Sequence, residues 1–154
     1  MREALMNFLR LKDVQRQGWV DAGVPSPESV AAHSWGMAVL ALKLCPDELD
    51  LLQVLKLCLL HDLPEVVVGD LTPRHDRSTK AADEHAAMKA LAPEWLTLFE
   101  EYEAQATPEA VFARRLDKLD MALQASLYEE RTELDLQDFI NSSRKTLGDD
   151  PLLG

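Results

Sequence analysis

His61 and Asp62 stand side by side at the end of an apolar stretch, directly before the break imposed by Pro64. A carboxylate there is costly unless it is paired or bound to a cation. Two groups of matching chemistry fall on other predicted helices. His33 lies on the second helix. Asp117 lies on a long later one, on the line Ala113–Asp117–Met121 beside the apolar line Phe112–Leu116–Leu119–Leu123. Two imidazoles and two carboxylates from three helices suit a divalent cation of intermediate hardness, with positions left for water. Taken singly, the same residues have plainer roles: His33 as a satisfied core or surface histidine, His61–Asp62 as a helix-terminal pair favoured by the helix dipole. Asp120, one turn beyond Asp117, competes with it for the same role.

The elements that must position these groups read as helices throughout. Residues 2–13 form a first amphipathic helix, and Gln17 to Pro25 a loop. Ser26-Pro27-Glu28 reads as a cap, a proline and an acid opening a second helix that runs to about Leu44. A third covers about 47–62; between Leu49 and Leu60 only Asp50, Gln53 and Lys56 interrupt its apolar residues, so it is expected to be the buried centre of the fold. Gly69 to Arg77 reads as a loop. Helices follow over 78–92, from Pro93, from the Thr107-Pro108-Glu109 cap to about Arg131, and near 135–147. Val66-Val67-Val68 is too short a β-branched run to found a sheet. Trp35 and Trp95 are expected in the core, and His75 and His85 on the solvent side. The architecture is an all-α compact bundle of about six or seven helices in a single domain, 1–154.

Sixteen basic and 27 acidic residues in 154 give a net charge of −11, which argues against a nucleic-acid partner, since such binding needs a basic face. It does not exclude a small anion held through a cation. An apolar fraction of 47% is too high for a disordered chain, and no apolar run approaches a membrane span. Met1 to Met6 lacks a signal-peptide core, and Cys45 and Cys58 form no CxxC-like pattern, so a cytoplasmic protein is expected.

The order His33 … His61-Asp62 … Asp117 resembles the H…HD…D signature of the HD-domain phosphohydrolases. The segments 28–34 (Glu-Ser-Val-Ala-Ala-His-Ser), 61–65 (His-Asp-Leu-Pro-Glu), 69–73 (Gly-Asp-Leu-Thr-Pro), 101–103 (Glu-Tyr-Glu) and 116–120 (Leu-Asp-Lys-Leu-Asp) resemble the branch containing the 5′-deoxynucleotidases. The resemblance implies an HD-type helical bundle with metal ligands at His33, His61, Asp62 and Asp117. It implies Glu65 as the catalytic carboxylate, Asp70 as a residue assisting the leaving group, and Arg16, Trp19 and Thr72 as substrate contacts. In the bacterial deoxynucleotidases the Arg and Trp are adjacent; here Gln17 and Gly18 separate them, a spacing closer to the eukaryotic and archaeal relatives.

The chemistry is physically coherent. A divalent cation lowers the pKa of bound water from about 15.7 toward roughly 7. Arg16, aided by Arg74, Arg77 or Lys80, can hold phosphate oxygens, and Asp70 or a water can supply the leaving group's proton. Cobalt, manganese, magnesium, zinc, nickel and iron all suit N/O ligands. The expected function is metal-dependent hydrolysis of (deoxy)nucleoside 5′-monophosphates to nucleoside and phosphate. The alternatives are an HD-type nucleotide-binding or regulatory protein, or hydrolysis of cyclic or pyrophosphorylated nucleotides. The expected partner is a small nucleotide substrate. A homodimer would use apolar residues around 121–134.

Overall fold

A computed structural model describes residues 1–72 and 78–154, so Arg74, His75 and Arg77 lie outside the described residues. The fold is all-α, as expected. Among the described residues there are seven helices of eight or more residues: α1 (Arg2–Leu9), α3 (Val30–Leu44), α4 (Leu51–Leu60), α6 (Lys80–Leu91), α7 (Leu96–Ala104), α8 (Pro108–Arg131) and α9 (Gln137–Leu147). Two single-turn helices, α2 (Gln17–Asp21) and α5 (Glu65–Val68), join them.

Local chemistry sets most of the boundaries. The Thr107 hydroxyl accepts from Ala110 N at 3.1 Å and Pro108 follows at the first helical position, as the sequence predicts for α8. Four boundaries differ from expectation. The first helix tightens into a 3₁₀ turn over Arg10–Asp13, and the expected loop after Arg16 contains α2. The helix bearing His33 is capped not by Ser26 but by Ser29, whose hydroxyl accepts from Ala32 N at 3.0 Å. Residues 26–28 stay non-helical because Arg16 N donates to Glu28 O and Val30 N to Val14 O, pairing two extended pieces. The α4 helix begins only at Leu51, since Asp50 spends its carboxylate accepting from Gln53 N at 3.2 Å.

The centre of the fold is α8 rather than α4. The long helix packs on α3, α4, α7 and α9, and its buried side runs through Ala113, Leu116, Leu119, Ala122 and Ala125. In contrast α4 leaves Leu52 and Leu59 exposed. Its apolar composition overstates its burial because α3 and α8 cover only the side of Val54, Leu57 and Cys58. Trp35, expected in the core, is 68% exposed; it lies two positions after His33 and so faces away from the core that His33 enters. Trp95 packs against Phe8 at 5.1 Å. His85, half-exposed, meets Glu100 at 2.8 Å. Most apolar residues around 121–134 serve the core, with Tyr128 buried and Met121, Leu123 and Leu134 packed on the same cluster, while Leu127 is exposed. No helix among the described residues is long and apolar enough to cross a membrane.

Candidate metal centre and active site

Three elements converge on one buried cluster. His33 enters from the second turn of α3, fully buried. His61 and Asp62 follow the last turn of α4, where Pro64 prevents the helix from continuing and turns the chain into α5. Asp117 and Asp120 come from the middle of α8.

The contacts between them are short. Nε2 of His33 lies 2.9 Å from Asp117 Oδ1 and 3.9 Å from Asp62 Oδ2, while Nε2 of His61 lies 2.9 Å from Asp62 Oδ2. The other ring nitrogens are engaged from behind. His61 Nδ1 donates to the Cys58 carbonyl at 2.8 Å, and His33 Nδ1 meets Asp120 Oδ2 at 2.6 Å. The two Nε2 atoms are buried and, despite those distances, not aligned in any hydrogen bond.

This donor set fits a divalent cation. Two orphaned imidazole nitrogens sit against carboxylate oxygens in a space from which water is largely removed, and ligand atoms of His33, His61 and Asp62 all lie within 4.8 Å of one another. Asp117 joins them through its approach to His33. A second grouping, Glu28 with His33 and Asp120, lies on the opposite side of the His33 ring.

The electrostatics agree. Burial and Arg16 oppose protonation of His33, but Asp117 and Asp120 outweigh them and raise its pKa from 6.5 to about 9. Burial likewise disfavours the Asp62 and Asp117 carboxylates, yet the neighbouring imidazoles hold both below the ordinary range. Glu65 behaves oppositely. Burial, reinforced by Asp62 and Asp70, pushes its pKa far up, and Oε2 is buried without a partner. A carboxyl kept neutral beside a cluster of charges is the arrangement expected of a proton-transfer group.

A cavity of about 280 Å³ opens onto Asp62, Glu65 and Asp117, and its wall carries Arg16, Trp19 and Asp70. Arg16 is held charged: burial opposes this, but Asp117, Asp62, Asp70 and Glu28 surround the guanidinium. Asp70 accepts from Gln17 N at 2.8 Å, fastening the loop after α5 to α2. Thr72 lines the cavity and donates to Asp21 at 3.1 Å. Trp19 is both a core anchor and a wall: it is buried, donates Nε1–H to Glu28 at 3.0 Å, and packs on Tyr128 and Phe139. Lys80 lines the cavity while pairing with Glu84 at 2.7 Å.

The structure adds residues to those expected. Lys118, which pairs with Asp117 at 2.9 Å, together with Met121 and Phe139, also lines the cavity. Phe139 arrives from α9, and only the strong amphipathicity of residues 137–147 hints that this helix docks there. Glu28 was legible as a helix-start acid; its hydrogen bond to Trp19 was not.

The HD domain family matches residues 8–151. The 5′-deoxynucleotidase HDDC2 of Homo sapiens is 42% identical, covering 91% of this chain and 76% of its own length. The 5′-deoxynucleotidase hdd1 of Schizosaccharomyces pombe is 36% identical, over 84% of this chain and 74% of its own. Among solved structures, the PH0347 protein of Pyrococcus horikoshii superposes with a TM-score of 0.86 at 33% identity, covering 97% of this chain and 95% of that one.

Proposed function

This chain belongs to the HD domain family, and on that premise we propose that it is a divalent-metal-dependent phosphohydrolase acting on (deoxy)nucleoside 5′-monophosphates. The observation that carries the reading is the pair of buried, unbonded imidazole Nε2 atoms set against Asp62 and Asp117, two acids that line a cavity together with Arg16 and Glu65. His33, His61, Asp62 and Asp117 would hold the cation. When bound, it supplies a water acidic enough to attack at neutral pH and offsets the charge of a phosphate in a protein of net charge −11.

The chain's own residues do the rest. Arg16 is held charged by the surrounding acids and lines the cavity, so its guanidinium can engage two phosphate oxygens. Glu65, held neutral by burial and then by Asp62 and Asp70, lines the cavity beside the proposed ligands, where it would exchange a proton with the nucleophilic water or the substrate when a bound cation offsets the charge of Asp62. Asp70, fixed by Gln17 N, stands where a leaving hydroxyl can be assisted. Thr72 contacts the substrate from the same loop. Trp19, Met121 and Phe139 form the apolar wall on which sugar and base rest.

The reading places this activity in a single domain, 1–154, in the cytoplasm, where the free Cys45 and Cys58 stay reduced. The nucleotide is a small-molecule partner; the acidic surface supports no nucleic-acid role. A homodimer is part of the reading. The exposed Trp35, Val39 and Leu42 of α3 support it, as does the exposed Leu127 within residues 121–134.

The test is phosphate release from a panel of nucleoside and deoxynucleoside monophosphates, cyclic nucleotides and pyrophosphorylated nucleotides, using stripped protein refilled with cobalt, manganese, magnesium, zinc, nickel or iron. Metal-dependent release from 5′-monophosphates is expected. Tight nucleotide binding without release under any metal would overturn hydrolysis in favour of a sensor.

A further inference from the structure

We propose that Asp120 is a positioning residue for the metal cluster, acting through His33, and that Gly36 is the residue that admits it. The proposal rests on the metal reading above. His33 presents two ring nitrogens to two acids: Nε2 faces Asp117 and Asp62, while Nδ1 meets Asp120 Oδ2 at 2.6 Å. An ionised carboxylate only accepts, so this contact keeps a proton on Nδ1 and makes Nε2 the nitrogen that gives up its proton when a cation enters the cluster. It also orients the ring and makes Nε2 a stronger donor to a cation.

Gly36 supplies an independent observation. It sits three residues after His33 on α3, on the same side of the helix. It lies inside the helix, where glycine is less favourable than alanine, and its backbone requires no left-handed conformation. The reason for a glycine is therefore steric. A Cβ placed there would overlap Asp120 Oδ1 and come within 3.1 Å of its Cγ. One oxygen of the Asp120 carboxylate bonds His33 while the other rests on the bare Cα of Gly36. Any side chain at this position would drive the carboxylate off the ring.

The grouping of Glu28, His33 and Asp120 is then the support behind the ligand rather than a second cation site. The Nδ1 lone pair is absent because that nitrogen carries the proton, and Glu28 Oε1 is occupied by Trp19.

The test is cobalt affinity, followed by the visible absorption of the bound ion, for the wild type, Asp120→Ala, Asp120→Asn, Gly36→Ala and the Asp120→Ala/Gly36→Ala double variant. Far-UV circular dichroism of each stripped protein reports its fold. Asp120→Ala and Gly36→Ala should each weaken cobalt binding by about 10- to 100-fold, the usual size of an outer-shell effect. Asp120→Asn, which keeps an acceptor, should fall between. In the double variant Gly36→Ala should add nothing to Asp120→Ala, because the clashing group is gone. Asp120 variants that bind cobalt as the wild type does would overturn the proposal and leave the metal reading intact. Additive losses in the double variant would overturn the role of Gly36. A wild type that binds no cobalt would overturn both.

Discussion

His61 donates its Nδ1–H to the carbonyl of Cys58, three residues back, which leaves Nε2 as the ring nitrogen facing Asp62 Oδ2 at 2.9 Å. A ring nitrogen and a carboxylate oxygen held this close and aimed at the same space form two arms of a cation site. Asp62→Ala should therefore lose bound metal and hydrolysis together. Metal content by mass spectrometry and phosphate release check this; a variant that keeps stoichiometric metal removes Asp62 from the ligand set.

Glu65→Gln separates binding from chemistry. The replacement matches the neutral carboxyl that the buried site already favours, so fold and metal content should be retained. Turnover should fall by about 10²- to 10⁴-fold, the usual contribution of a positioned acid or base. Unchanged kcat would assign Glu65 a structural role.

Arg16→Ala should raise the KM for phosphate substrates by about 10- to 100-fold, the value of a charge-assisted contact. Its effect on kcat should be smaller. An unchanged KM would show that the guanidinium serves only to balance the surrounding acids.

Phe139→Ala tests the apolar wall. Loss of the ring should raise KM for a nucleotide while leaving deoxyribose 5-phosphate, which has no base, nearly unaffected. Equal losses on both substrates would place the effect on Trp19, which packs on Phe139 with ring centroids 4.4 Å apart.

The stripped protein should have a signed pH dependence. His33 has a folded pKa of about 9 against an ordinary 6.5, so the stability it contributes is complete below 6.5 and is lost as pH rises through 9. Glu65, also raised, acts in the same direction. Asp62 and Asp117 are lowered, so their contribution is present above 3.8 and is lost only in stronger acid. The melting temperature of chelator-treated protein should fall steadily from pH 6.5 to 9, and apparent metal affinity should rise over the same interval as the competing proton leaves. A flat melting profile across that interval would contradict the His33 assignment.

What the sequence revealed depended on how local the signal was. The Thr107-Pro108 cap needs only neighbouring residues, and α8 starts where it predicts. Ser26 and Ser29 offer similar local chemistry, and a long-range pairing with residues 14–16 decides between them. Asp117 and Asp120 differ by one turn, too small a difference for periodicity to assign; they are told apart only by the nitrogen of His33 that each meets. Phe139 carries no motif and reaches the cavity through the docking of α9 on α8. The exposure of Trp35 was hidden because residue type argued for burial while its helix face argued against it.

The convergence of α3, the end of α4 and α8 also orders events during synthesis. His33, His61 and Asp62 leave the ribosome well before Asp117 and Asp120, and α8 carries the core surface against which α3 and α4 pack. Of the proposed cation site, the earlier half of the chain thus carries His33, His61 and Asp62 and lacks both Asp117 and Asp120. On that ligand set, cation loading would be a late step, coupled to completion of α8. A nascent or truncated chain lacking α8 should neither retain the ion nor compete for it with the finished protein.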